Sequence, residues 1–279
     1  MNKFIKSTGA LSLILLTFLC IAVPSQAATY YVAQNDAAAS NANPGTENLP
    51  WLTIQHAAET MVAGDMVLIK NGIYNERVIP RNSGGPEKYI VYAAYSHDTP
   101  VIEGNGINVL SDSGLFHFED KRFIRINGLT IQNTKTTHNS NGIYVANSNH
   151  VIIEKCYTHN TASSGIGVWD CENIIIDNNE IALACNDGEQ ECITIALTDQ
   201  FEVKNNHVYN GGPGTFGGEG IDVKEGSANG KIYRNHVHDL NRVGIYVDAW
   251  DKHTSHIDVY QNIVHDCQAN GMAVVSEAG

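Results

Sequence analysis

From residue 114 onward, short runs of apolar residues alternate with polar ones in period two, and helical periodicity is absent. The runs begin GLFHF, GIYVA, GIGVW, CITIA, GIDVK, GIYVD and GMAVV, at Gly114, Gly142, Gly165, Cys192, Gly220, Gly244 and Gly271, spaced by 23–28 residues. A second series keeps step with them. RINGL, DNNEI, KNNHV, YRNHV and YQNIV place Asn127, Asn179, Asn206, Asn235 and Asn262 at matching intervals, with Cys156 filling the missing rung. Repeats of this length, built of short β-branched strands, predict a solenoid with one turn per repeat. An asparagine at each corner can bond its counterpart on the next turn, satisfying polar groups at an inward bend. A β-sandwich with turn asparagines explains neither the spacing nor the shared step.

The helical period returns once. PWLTIQHAAETMVAGD reads as a short amphipathic helix, with Ile54, Ala57, Ala58 and Met61 on one face and Gly64 ending it. Such a helix would cover the open first edge of a solenoid. The expected architecture is therefore an all-β solenoid with a short N-terminal capping helix. Ahead of it, Lys3 and Lys6 precede an apolar stretch that closes on Ser25-Gln26-Ala27. That is the pattern of a secretory signal peptide over residues 1–27. The solenoid domain is then 28–279, and the expected location is extracellular or periplasmic. The chain stops at Gly279, inside the rung begun at Gly271, which reads as a truncated product.

Charge narrows the partners. The net charge is −13, and losing Lys3 and Lys6 with the leader makes it −15. That disfavours nucleic acid and anionic membranes, and leaves an acidic polysaccharide possible if a divalent cation bridges the like charges. A monomer is expected. Cys185 and Cys192 flank NDGEQE and either close a small loop or remain buried thiols.

Strand alternation predicts which side chains share a face. One outward column reads Tyr144, Gly167, Thr194, Asp222, Tyr246, Ala273. The next reads Ala146, Trp169, Ala196, Lys224, Asp248, Val275. Asp222, Lys224 and Asp248 thus meet on one solvent-facing surface, with Glu219 and Arg242 at the strand entrances. Trp169, Tyr246, Trp250, Lys252 and His253 offer aromatic and polar contacts to sugar rings. A plain surface ion pair between Lys224 and Asp248 is the bland alternative. Histidines recur as well: His159, His238 and His265 share a column. They suit either a metal or turn pairing with Asp239 and Asp266.

The segment YYVAQND…NPGT…PWLTIQHAAETMVAGDMVLIKNGIYNE resembles the start of secreted right-handed parallel β-helix proteins of the pectate-lyase-like superfamily, nearest to polysaccharide lyase families six and nine. The resemblance covers essentially the whole mature chain and implies a single-stranded right-handed parallel β-helix with a short N-terminal capping helix, and cleavage of a uronic-acid polymer by β-elimination. EGIDVKEG is similar to the family-six pattern, a glutamate calcium ligand five residues before a lysine base. It implies Glu219 as a Ca2+ ligand, Lys224 as base and an arginine of the following coil, for which Arg242 is the nearest candidate, as the proton-transferring partner; Asp222 and Asp248 add hard oxygen ligands of the kind Ca2+ prefers. The sequence departs from both families. Thr194 and Thr198 stand where family six places a calcium-binding asparagine, and Arg242-Val243-Gly244 replaces the DDG of family nine. The NTD and GHG motifs of glycoside hydrolases on this fold are missing, which disfavours hydrolysis by paired carboxylates. A C5-epimerase and a non-catalytic glycan-binding surface protein are the alternatives.

Overall fold

The structure is a computed structural model that describes residues 27–134, 139–187, 189–212 and 216–276. The leader read over residues 1–27 lies outside the described residues, save Ala27. All paired strands run parallel, in sheets of nine, eight and seven strands whose order follows successive coils of the chain. The nine-stranded sheet runs from Thr29–Val32 to Ser255–Tyr260. The eight-stranded sheet ends at Ile263–Cys267 and the seven-stranded sheet at Met272–Ser276. This is the solenoid that the repeat predicts, in the right-handed parallel β-helix form that the resemblance implies.

The core follows from alternation. Ile153, Ile176, Val203 and Ile232 stack in register inside the nine-stranded sheet, and each is fully buried. One tier is tighter. The Phe201 ring occupies the space above Gly230 of the next coil, where an added Cβ would lie 1.9 Å from the ring. The helix forms at Ile54–Thr60, capped by the Thr53 side chain, with Ile54, Ala57, Ala58 and Met61 buried. Both carboxylate oxygens of Glu76 accept from the first helical amides, Ile54 N at 2.9 Å and Gln55 N at 2.8 Å, groups no helix can satisfy internally.

The asparagine ladder has four members. Oδ1 of Asn206, Asn235 and Asn262 each accepts from the backbone N–H and the Nδ2 of the preceding asparagine, at 2.9 and 3.0 Å. Asn179 Oδ1 accepts from the Cys156 amide at 2.9 Å. Asn127 does not belong. It lies opposite Glu154 and donates to that carboxylate, two positions ahead of the ladder. The reason lies in the bend. The residue before each rung takes a left-handed conformation (Lys155, Asn178, Asn205, Arg234 and Gln261, φ 53–57°), and in the Asn127 coil that residue is Gly128, φ 72°. Leu129 therefore takes the inward slot. A similar slip affects Gly114, which pairs with Asn141 rather than Gly142.

Cys156, Cys171, Cys185 and Cys192 are buried free thiols, and Cys267 is partly buried. The Cys185–Cys192 bridge is not formed. Burial pushes the Cys156 and Cys171 thiols up to about 12.

Candidate functional site

The seven-stranded sheet aligns Ile166–Trp169, Ile193–Ala196, Ile221–Lys224 and Ile245–Ala249. Their register sets Thr194 beside Asp222, Asp222 beside Tyr246, and Ala196 beside Lys224. Just before these strands, Gln190–Cys192 continues the ladder onto Gly218–Gly220: Gly218 N donates to Gln190 O and Cys192 N to Glu219 O, both at 2.8 Å. Glu191 and Glu219 thus occupy equivalent positions on neighbouring coils. The coils approach so closely here that a Cβ on Gly220 would lie 2.5 Å from the Gly244 carbonyl.

The charged groups converge, and they are covered. Glu219 and Asp222 are 5% and 2% exposed, so the solvent-facing surface expected for them is in fact shielded. Lys224 is also largely enclosed, with its side chain 17% exposed. The segment ahead of Cys192 closes over the sheet at Lys224 and supplies its partners, Glu191 Oε1 at 2.7 Å and Gln190 Oε1 at 3.4 Å. Asp222 Oδ2 lies 3.6 Å from Nζ. Lys224 therefore pairs with Glu191 rather than standing as an exposed partner of Asp248. On the other side of Glu191, Thr194 Oγ1 donates to Oε2 at 2.8 Å and shares a 2.7 Å hydrogen bond with Ser164 Oγ. Arg242 Nε donates to Glu219 Oε1 at 2.9 Å.

Carboxylates outnumber cations here. Burial, reinforced by Glu191, Asp248 and Glu219 and opposed by Lys224, drives the Asp222 carboxyl well above its ordinary range. Burial alone would lower Lys224, yet Glu191 and Asp222 outweigh it and hold the ammonium above the ordinary lysine value. As folded, Lys224 is a firm cation. Asp222 Oδ1 is buried without a hydrogen-bond partner, an orphan a hard cation would satisfy. Among the described residues the oxygens of Glu191, Glu219 and Asp222 do not all come within 4.8 Å of one another, so a divalent ion such as Ca2+ would have to draw them together, and Thr194, in the place of the missing asparagine, orients Glu191.

Glu219, Arg242 and Tyr246 also line a pocket of about 540 Å3, with Asn270 and Ala273 on its far wall. Trp250, Lys252 and His253 are exposed beyond the strand Ile245–Ala249, and the Lys252 stem lies against Gly226. Trp169 is further off, two strands from Lys224 by register. It stacks on Tyr144 with centroids 4.8 Å apart, and Tyr144 stacks on His117 at 5.1 Å. Burial, then Arg77 and Lys121, push His117 down to about 4, so this tier is a neutral aromatic surface.

Residues 30–234 match the family described as "Pel9A-like, right handed beta helix region". The chain belongs to the Pel9A-like right-handed β-helix family. Part of it is also similar to YwoF of Bacillus subtilis (strain 168), described as uncharacterized: 35% identity over 129 residues, 44% of this chain and 27% of that protein. The chain thus spans about a quarter of that relative's length. Among solved structures, pectate lyase Pel9A superposes with a TM-score of 0.55 at 14% identity, covering 91% of this chain and 79% of the other. A rhamnogalacturonan lyase gives 0.52 at 15% identity, covering 79% and 73%. PfbA, a surface adhesin of Streptococcus pneumoniae, gives 0.50 at 16% identity, covering 80% and 67%. At such identities these structures share the fold alone with this chain.

Glu191 is the residue that sequence reasoning missed. Its signal was present: Glu-Cys-Ile-Thr and Glu-Gly-Ile-Asp put glutamates at the same place in adjacent repeats, 191 and 219.

Proposed function

We propose that this Pel9A-like protein is an exported polysaccharide lyase that cleaves a uronic-acid polymer by β-elimination. The observation that supports it is the enclosed cluster of Glu191, Glu219, Asp222, Lys224 and Arg242 beside an open pocket. Breaking the bond at C4 of a uronate requires removal of the proton at C5, next to the carboxylate. The base takes that proton, the C4–O bond breaks, a C4–C5 double bond forms, and the departing oxygen is protonated. A divalent cation that draws Glu191, Glu219 and Asp222 together would supply the charge that neutralises the substrate carboxylate. With Glu191 and Asp222 so engaged, Lys224 loses the two anions that hold its proton and becomes the candidate base at C5. Arg242, anchored on Glu219 and lining the pocket, is the candidate to return a proton to the departing oxygen. Asp248 completes the acidic set around Asp222. Tyr246, Trp250, Lys252 and His253 form the rim over which the sugar chain runs.

A second reading is a non-catalytic glycan-binding protein. The grip of Glu191 on Lys224 favours it, because a locked ammonium is a binding group rather than a base. Lys224→Ala separates the two. In a lyase it abolishes the conjugated unsaturated product while polymer binding persists on the rim. In a binding module no polymer yields that product, and affinity falls chiefly in Trp250→Ala. Product formation by a folded Lys224→Ala variant would overturn the assignment of the base.

A further inference from the structure

A second cluster lies on the outer face of the eight-stranded sheet, away from the acidic site. In His207–Tyr209, His236–Leu240 and Ile263–Cys267, Val208, Val237 and Val264 align in register, with Val208 and Val237 fully buried. Their neighbours therefore face outward, and His207, His236, His238 and His265 come together across three coils. His159 stands apart: Ala182 and Tyr209 separate it from His238 in the column. His207 and His236, unremarked in the sequence, take its place.

The nitrogens are paired closely. Nε2 of His207 lies 2.7 Å from Nε2 of His238, and Nε2 of His236 lies 2.8 Å from Nε2 of His265. Ligand nitrogens of His207, His236 and His238 all fall within 4.8 Å of one another. The opposite ring nitrogens fix the tautomers. His238 Nδ1 lies 2.7 Å from Asp239 Oδ2, and His265 Nδ1 lies 2.7 Å from Asp266 Oδ2. A carboxylate only accepts, so each Nδ1 carries the proton and each Nε2 turns a lone pair into the cluster. A carboxylate behind a histidine is the arrangement that orients metal-bound imidazoles.

We propose that His207, His236 and His238, with His265 as fourth ligand, form a site for a divalent transition-metal ion of the Zn2+, Ni2+ or Cu2+ class. Imidazole nitrogens select such ions over calcium, whose preference is oxygen. Bonds of about 2.0–2.1 Å in tetrahedral array put ligand nitrogens about 3.3 Å apart, so the close pairs open by roughly half an ångström while His265, outside the group of three, draws in toward His207 and His238. Half-exposed side chains on a sheet face can accommodate that. The bound ion would tie three successive coils together, a stabilising cross-link independent of the lyase reading.

The test uses untagged full chain stripped with chelator. Zn2+ is expected to raise the melting temperature, and Cu2+ to give an electron paramagnetic resonance spectrum with nitrogen superhyperfine splitting. His207→Gln with His238→Gln should remove both effects. Asp239→Asn, at an exposed position, should keep the fold and weaken Zn2+ binding by about 10- to 100-fold. Copper bound through oxygen alone, unaltered Zn2+ affinity in Asp239→Asn, or no binding would each overturn the site.

Discussion

Nζ of Lys224 lies 2.7 Å from Oε1 of Glu191, a residue 33 positions earlier that the coil geometry sets against the neighbouring strand. This contact makes Lys224 a cation and fixes what must change before it can act as a base. Glu191→Gln removes the larger of the two charges holding the proton. Lys224 should then titrate at lower pH, visible in its side-chain nitrogen resonance. An unchanged titration would mean that Asp222 alone holds the ammonium.

The same contact shapes alkaline stability. The folded pKa of Lys224 is raised above 10.5, so its contribution is fully present below that value and lost as pH rises through the folded value. Denaturant unfolding should show this alkaline loss in the natural chain and a smaller one in Glu191→Gln.

Asp222 runs the other way from an ordinary paired carboxylate. Its folded pKa is raised above 3.8, so the folded state binds the extra proton, and stability falls as pH rises from there through the folded value. Asp222→Asn should flatten that slope in metal-free protein. Calcium should raise the melting temperature of the natural chain near neutral pH, and Glu219→Gln with Asp222→Asn should abolish the shift.

The ladder separates two asparagines that look alike in sequence. Asn206→Ala leaves the Asn179 backbone N–H without an acceptor in a buried bend, at about 1–3 kcal/mol, and removes one of the two acceptors of Asn179 Nδ2, which keeps the Ile153 carbonyl. Asn127→Ala removes one half-buried contact to Glu154 and should cost about 0.5–1.5 kcal/mol. Denaturant unfolding of the two variants measures the difference. Equal costs would contradict the two-residue offset.

Gly230 and Phe201 form a matched pair. Gly230→Ala drives a methyl into the ring and should destabilise by about 1–3 kcal/mol or more. Phe201→Leu should be the better background for it, and a double-mutant cycle that is simply additive would refute the contact.

Much of this was legible in the chain. Period-two alternation pointed to the solenoid, and the strand register aligns the outward column from Tyr144 through Asp222 to Ala273 and the next one from Ala146 to Lys224. Asn127 misled because its coil enters the bend through Gly128: spacing alone does not distinguish the residue before a left-handed turn from the one after it. Burial of the site was hidden for another reason. The segment that covers Lys224 lies in a connection between strands, and alternation rules say nothing about how a connection folds back. His207 and His236 were missed because a metal site is a property of three coils, while each coil alone contributes one or two histidines that could equally be turn residues.

The mass of the chain ends released from uronate polymers with calcium present tests the central claim most directly. β-Elimination by the Lys224 cluster predicts a new non-reducing end lighter by one water than a hydrolytic end, formed by the natural chain and lost in Lys224→Ala. Ends carrying the full water, or intact polymer across a panel of uronate polysaccharides, would contradict it.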